Sequence, residues 1–417
     1  MTATRGDTDP RGPVAASPEP PAPAGRLGPA LAALAVGGFG IGTTEFATMG
    51  LLPDLARHFH ASIPVMGHGI TAYALGVVVG APVIAVLGAR RPRRGMLIGL
   101  MAAFAIGNAL SAAAPTAGLF SVARFAAGLP HGAFFGIAAV VAASLAPPDR
   151  RGRAVSLAMI GLTVANIAGV PAATAIGQLF GWRAAYAGVA VIGLLTMAAV
   201  RLWVPALPAA ADAGIRRELG ALRRPQVWFA LVTGMIGFGG MFSLYSYIAP
   251  TMTEVAGVPP AGIAWVLAVF GTGMTGGALF GGRLVDRSVL GTVCGTLGTV
   301  AVLLAVFALT ARHAVAAIAL VFVLGATTTI LANALQVRLM DASPDAPSLA
   351  ASSNHAALNV ANASGAWLGG LVIAAGWGLL ATAWVGVALS LGGLAVALAS
   401  AAAERRTGAA ERRTRAA

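Results

Sequence analysis

Twelve long apolar runs, separated by short polar breaks, decide what this chain can fold into. They fall at about 28–52, 63–88, 95–114, 117–146, 154–180, 183–204, 227–253, 261–285, 289–311, 314–338, 348–375 and 378–402, and are numbered here as spans 1 to 12. A stretch of about 20 apolar residues crosses a hydrocarbon core about 30 Å thick. In lipid every backbone polar group needs an internal partner, which leaves helices or one closed barrel. Runs of this length without alternation at every second residue mean helices. Composition agrees: 58% of residues are hydrophobic and 10% charged, with a mean hydropathy of +0.83, whereas soluble domains carry about a quarter charged residues. The chain cannot clothe a water-facing surface, which excludes a soluble enzyme or a nucleic-acid-binding domain. The expected fold class is an all-α membrane protein of twelve transmembrane helices.

The net charge of +13 does not point to nucleic acid, because its carriers sit between the apolar runs. All 27 basic residues are Arg. With the N-terminus inside, 23 lie on the inner side, only Arg57, Arg183 and Arg312 lie outside, and Arg124 falls within a span. That bias predicts both termini in the cytoplasm. The Arg-only, Ala-rich composition suggests a high-GC bacterium and hence its inner membrane. Residues 1–26 hold six prolines and no apolar run, so a disordered cytoplasmic tail is expected, with span 1 as an uncleaved targeting signal. The longest internal loop, 205–226, divides the spans into a bundle at 27–204 and a second at 227–402, followed by a cytoplasmic tail at 403–417. Cys294 is the only cysteine, so neither an intrachain disulfide nor a Cys-based metal site is expected.

The two bundles repeat each other. Val164-Ala165-Asn166-Ile167-Ala168-Gly169 recurs as Val360-Ala361-Asn362-Ala363-Ser364-Gly365, and Gly80 to Arg90 aligns with Gly277 to Arg287, at offsets of 196 and 197. Two parallel six-helix repeats around a central cavity describe a transporter architecture. Five segments then carry a family likeness: GTTEF at Gly42–Phe46 with GLLP at Gly50–Pro53, YALGVVVGAPVIA at Tyr73–Ala85, GLPHGAFFG at Gly128–Gly136, TVANIAGVP at Thr163–Pro171, and NVANASGAWLGG at Asn359–Gly370. On these the chain resembles the major facilitator superfamily, its twelve-span drug:proton antiporter family, and within that the arabinose-efflux-permease-like branch.

The resemblance implies the major facilitator fold and a gate beside the loop after span 2, where the superfamily reads G-x-L-A-D-R-x-G-R-R. Here Ala85, Ala89 and Pro92 replace the first Gly, the Asp and the second Gly, while Arg90, Arg93 and Arg94 remain. The second-half copy keeps Gly282, Asp286 and Arg287. The implied gating residues are therefore Arg90, Arg94, Gly282, Asp286 and Arg287, with the acidic latch only in the second half.

Charged side chains inside a span cost at least about 2.5–3.5 kcal/mol and are functional candidates by default. Glu45 in span 1 and Arg124 in span 4 each lie seven residues from the outer end, about 10 Å deep at 1.5 Å per residue. Two readings fit this equal depth: a static ion pair joining spans 1 and 4, or a protonation switch. In a switch, burial makes a carboxyl hold its proton, a nearby guanidinium opposes that, and an arriving substrate alters the balance. The likeness favours the switch, since Arg124 and Gly128 match the R-x-x-x-G motif associated with proton coupling, with Ala127 where Gln is frequent. His131 follows on the same helix face, with Pro130 expected to bend the helix. It reads either as a third proton-coupling residue or as a hydrogen-bonding core histidine.

Asn166 in span 5 shares a stripe with Thr163, Val170 and Thr174, beside Gly169 and Pro171. Close packing with a kink explains the stripe; Asn166 is also a candidate cavity donor. The remaining candidate substrate-cavity residues are Tyr245 and Tyr247 in span 7, Asn333 in span 10, and Asn359 and Asn362 in span 11, because an apolar face with a few hydrogen-bonding groups suits an organic ligand.

No G-x-x-x-x-G-K-[ST] loop is present and the chain contains no Lys, so direct ATP-driven pumping is excluded. No cofactor and no metal site are expected; the proton gradient is the expected energy source. The partners expected are a small-molecule substrate, protons and the lipid bilayer, and the functional unit a monomer. The expected activity is proton antiport, exporting small drug-like or sugar-like molecules by alternating access. Uptake by a symporter or facilitator is the alternative; a non-transporting receptor or an enzyme lacks the signalling extension or the nucleophile-and-base constellation it needs.

Overall fold

The computed structural model describes residues 27–88, 91–206, 220, 223–343 and 347–416. Among the described residues, twelve helices are long and apolar enough to cross a membrane: Leu27–Gly50, Ile63–Ile84, Arg93–Ala113, Ala117–Leu145, Arg151–Phe180, Trp182–Trp203, Pro225–Tyr245, Pro260–Arg287, Val289–Thr310, Ala314–Ala342, Ser353–Ala374 and Ala381–Arg405. These are spans 1 to 12, and no strand occurs among the described residues. The face where span 1 begins and span 12 ends is called the terminal face, the opposite one the distal face.

Three departures from the sequence reading have local causes. Span 7 is interrupted: after Tyr245 the chain turns at Ser246–Tyr247, then continues as Ile248–Pro250 and a π-helical turn at Thr251–Val255. Span 1 stops at Gly50, and a separate short helix, Leu52–His58, starts with Pro53 in its first turn, where a missing N–H costs nothing. The last helix runs on to Ala416 through the segment read as a tail, its Ala, Glu and Arg residues being strong helix formers. Arg338 anchors its base, bonding Glu404 and, at 3.2 Å, the Ser400 hydroxyl. The tail 1–26 and Arg90 lie outside the described residues, as does most of the 205–226 linker.

Span 1 packs on spans 5 and 6, span 3 on spans 4 and 6, and span 2 on span 4; in the second half span 7 packs on spans 11 and 12, span 9 on spans 10 and 12, and span 8 on span 10. The halves meet where span 2 meets span 11 and where span 5 meets span 8. Two seams are built alike from glycines that bring backbones into contact. A methyl added to Gly76, Gly80 or Gly128 would lie 2.2, 2.0 and 2.2 Å from the carbonyl oxygens of Phe125, Leu129 and Tyr73. In the second half, Gly273, Gly277 and Gly325 stand 2.1, 2.2 and 2.4 Å from those of Phe322, Ala326 and Phe270. Every member of the second set is 197 positions after its counterpart, so the sequence repeat is also a repeat of helix packing. Small residues let transmembrane helices approach this closely.

In span 5, Pro171 has no N–H for the carbonyl of Ile167, and the ladder relaxes into a π-helical turn over Ala165–Gly169 in which the Val170 N–H reaches the Ala165 carbonyl. Gly181, at φ +89°, makes the one-residue turn into span 6, a conformation that a side chain would strain. The outer surface is apolar: Val315, Leu179, Phe180 and Trp265 are all at least three-quarters exposed, as befits contact with lipid tails. The protein is a multi-pass membrane protein.

The distal end is closed. Leu51, Leu52, Leu55, Met66 and Met252 are fully buried there, and Gly50 meets Leu267 of span 8. Outside this plug lies a cavity of about 540 Å3 lined by both halves, including Asp54, Arg57, Gln178 and Glu254. Span 8 follows the distal half of span 5 and barely touches its terminal half.

Candidate functional site

Arg124 is completely buried in the first half. A buried cation is costly unless its donors are satisfied and its charge is balanced. Its Nη1 donates to the Thr44 hydroxyl at 2.8 Å and its Nη2 to the Thr44 carbonyl at 2.9 Å. The Thr44 hydroxyl donates onward to Asn108 Oδ1 at 2.6 Å, and the Asn108 amide donates to the Phe104 carbonyl at 2.9 Å. Two ring faces complete the surround, with the guanidinium carbon 4.3 Å from the centre of Tyr73 and 5.4 Å from that of Tyr186. Such cation–π contacts contribute up to about 2 kcal/mol when desolvated. The Tyr186 hydroxyl is held 2.8 Å from Thr48 Oγ1. Spans 1, 2, 3, 4 and 6 thus all contribute.

Glu45, the neighbour of Thr44, is half-buried and forms neither a hydrogen bond nor an ion pair with any described residue. The static Glu45–Arg124 ion pair weighed from the sequence does not form. Arg124 is nonetheless the charge that acts on Glu45. The structure therefore brings the acid and the cation into one site without pairing them.

His131 lies beyond a break in span 4, where the first helical segment ends at Gly128 and the next begins at His131. Pro130, which cannot donate to the ladder, accounts for the break. His131 is 2% exposed, and its Nδ1 is 3.0 Å from the Tyr73 hydroxyl. The glycine seam of spans 2 and 4 sets this geometry by pressing Tyr73 between Arg124 and His131.

The other candidates divide. Asn362 is 1% exposed with no partner for either amide atom, and Asn359 donates to the His355 carbonyl at 3.0 Å but leaves its Oδ1 unpartnered. Tyr245 stacks on Phe270 at 4.0 Å and meets Phe46 edge-on at 5.9 Å, bridging the halves. Asn166 sits in the π-helical turn, its amide bonded to the Leu162 carbonyl at 2.9 Å and its own carbonyl against Gly271 of span 8. Tyr247 commits its hydroxyl to the Ala366 carbonyl at 2.7 Å, and Asn333 is exposed; neither joins the buried amides. Of the gating candidates, Arg94 donates to the Val204 carbonyl at 3.4 Å. Gly282, Asp286 and Arg287 are exposed, and Asp286 pairs with no described residue. No group of His, Cys, Asp and Glu suited to a metal occurs among the described residues.

Thr44, Tyr73 and Tyr186 were not singled out from the sequence. One signal was available: the chain has only four tyrosines, and all four are at most 2% exposed. The repeat allows the first-half set to be compared with its counterparts. The positions 197 after Glu45, Tyr73, Arg124 and His131 hold Phe242, Phe270, Val321 and Thr328, which are also buried. The same packing is thus achieved without a charge, so helix packing alone does not require the first-half set.

Two pseudo-equivalent six-helix bundles around a polar centre define a membrane transporter for small solutes. The chain matches the Major Facilitator Superfamily over residues 34–346. It belongs to that family. It is 44% identical to the inner membrane transport protein YdhP of Escherichia coli, over 84% of this chain and 90% of that protein. It is 33% identical to the putative transporter AraJ of Escherichia coli (82% and 87% covered) and 35% identical to a chloramphenicol resistance protein of Streptomyces lividans (80% and 86% covered). These relatives agree with the arabinose-efflux-like branch indicated by the motifs.

Proposed function

We propose that this chain is a secondary active transporter that exports small organic molecules, drug-like or sugar-like, in exchange for protons. The carrying observation is the asymmetry of the repeat: a buried Arg124 and an unpaired Glu45 occupy positions that the second half fills with Val321 and Phe242. An acid whose proton is held or released according to a neighbouring cation and ligand has the properties of a coupling site. Glu45 carries the proton, Arg124 sets its affinity, and His131 belongs to the same proton-coupling set. Asn362, with both amide atoms unspent, and Asn359, with its Oδ1 unspent, offer hydrogen bonds to substrate beside the aromatic surface of Tyr245; Asn166 works where the halves meet. Arg90, Arg94, Gly282, Asp286 and Arg287 serve the gate on the terminal face. The Arg bias supports a cytoplasmic position in a bacterium for that face and both termini. The relative named for chloramphenicol resistance supports export. No cofactor or catalytic step is required, and one chain suffices.

The test is accumulation of labelled amphenicols, other drugs and sugars in efflux-deficient bacteria expressing the wild type or Glu45→Gln, with and without a protonophore. Lower accumulation with the wild type, restored by either the protonophore or the substitution, is the expected result. Raised accumulation would replace export by uptake through a symporter or facilitator.

A further inference from the structure

The Arg124 site does not end at Tyr73. The Tyr73 ring covers the guanidinium at 4.3 Å while its hydroxyl stands 3.0 Å from His131 Nδ1. One turn further along span 4, Phe135 meets the His131 ring edge-on at 5.3 Å. Phe135 then lies flat against His355 of span 11, with ring centres 5.9 Å apart and planes 7° from parallel. Tyr73, His131 and Phe135 are 1%, 2% and 4% exposed, so this line of side chains runs through packed interior from the charge site to the other half of the molecule.

We infer that Tyr73 is a positioning residue which, through His131, ties the state of the Arg124 site to the contact between the halves at Phe135 and His355. The inference rests on the proposed proton coupling and says how that coupling reaches the moving parts. Spans 2 and 4 are locked backbone to backbone by Gly76, Gly80 and Gly128, so Tyr73, Arg124 and His131 travel as one body. Span 11 belongs to the other half, and opening the terminal face must part it from span 4. The Phe135–His355 stack is therefore made or broken once per cycle, while the Tyr73–His131 hydrogen bond stays within one body and can only change direction. A neutral His131 accepts from the tyrosine through Nδ1 in one tautomer and donates to it in the other. The same imidazole that holds this bond meets Phe135 edge-on, so the direction of the bond bears on that contact.

The mirrored positions lack this path. Phe270 has no hydroxyl, and Thr328 bonds the Leu324 carbonyl of its own helix at 2.8 Å. The charged and titratable groups around His131 are few: Arg124 on its own span, Glu45 on span 1, Tyr73 on span 2 and His355 on span 11. Spans 3 and 5 bring only Arg93, Arg94, Arg151 and Arg153, at their terminal-face ends.

The experiment uses full-length protein in lipid nanodiscs, with Cys294→Ser and spin labels at Val140→Cys of span 4 and Met340→Cys of span 10, both exposed positions in opposite halves. The distance between labels is measured across the pH range in the labelled parent, Tyr73→Phe, His131→Asn and Glu45→Gln, and the unfolding midpoint of each is measured alongside. The parent should show a pH-dependent shift in distance that Glu45→Gln abolishes. Tyr73→Phe keeps the ring over Arg124 and should insert and unfold with the parent's midpoint, yet lose the shift. His131→Asn, which keeps a nitrogen or oxygen near the Nδ1 position, should retain part of it. A Tyr73→Phe shift equal to the parent's, with Glu45→Gln silent, overturns this inference alone. A shift that survives Glu45→Gln overturns the proton-coupling reading, and this inference with it.

Discussion

Substituting Gly76→Ala tests whether the seam between spans 2 and 4 is as tight as its geometry requires. The added methyl falls 2.2 Å from the Phe125 carbonyl oxygen and 3.1 Å from its carbon. Carbon–oxygen contacts settle at roughly 3.3–3.6 Å, so the helices must part by about 1 Å. Both obstructing atoms are backbone and cannot swing aside. Overpacking of this kind costs about 1–3 kcal/mol. Replacing glycine by alanine also favours a helix by up to about 1 kcal/mol, and Gly99→Ala on span 3, with nothing within 4 Å, isolates that gain. The two variants should therefore differ by about 1–3 kcal/mol, read as a lower unfolding midpoint for Gly76→Ala by tryptophan fluorescence in detergent. Gly273→Ala, with its methyl 2.1 Å from the Phe322 oxygen, should lose similar stability. Only Gly76→Ala should also impair proton-driven transport, because only that seam positions Tyr73 over Arg124. Equal midpoints for Gly76→Ala and Gly99→Ala would refute the packing argument; equal transport loss in Gly76→Ala and Gly273→Ala would refute its link to the site.

Arg124→Met should fold with an unfolding midpoint no lower than the wild type, since replacing a buried charge by an apolar side chain is often neutral or stabilising and Val321 fills the mirrored position. Gradient-driven transport should nonetheless be lost; marked instability instead would make the arginine structural. Gly271→Ala would bring a methyl to 2.1 Å from the Asn166 carbonyl oxygen, opposing contact between spans 5 and 8 by about 1–3 kcal/mol and favouring the distal-open state. Thiol labelling of Thr174→Cys, a fully buried position facing Gly50, should then proceed faster than in the parent; unchanged labelling would count against a distal closure made by this contact.

What the sequence revealed follows the range of the interactions involved. Helix positions come from runs of apolar residues, a local property, and all twelve spans lie within several residues of those read from the chain. The interruption after Tyr245 has no signature in the chain, because Ser246 and Tyr247 sit in an otherwise apolar run. The depths of Glu45 and Arg124 were legible from the 1.5 Å rise per residue, and the contact of Arg124 with Thr44 shows that these depths coincide. Which residue of span 1 the arginine bonds was not legible. Thr44 and Glu45 differ by 100° of helix rotation, and that rotation is fixed by neighbours such as Gly42 against Leu162. Tyr73 stayed hidden for the same reason. Its role depends on how near span 4 can come, which only the paired glycines decide.

The exchange of protons for substrate through Glu45 is tested most directly in reconstituted vesicles. With a pH-sensitive dye trapped inside and chloramphenicol as the probe, substrate movement in one direction should drive protons in the other through the wild type. Glu45→Gln should still exchange labelled for unlabelled substrate while moving no protons. Equal proton movement in Glu45→Gln and the wild type, or substrate transport by the wild type with no proton movement, would contradict the account.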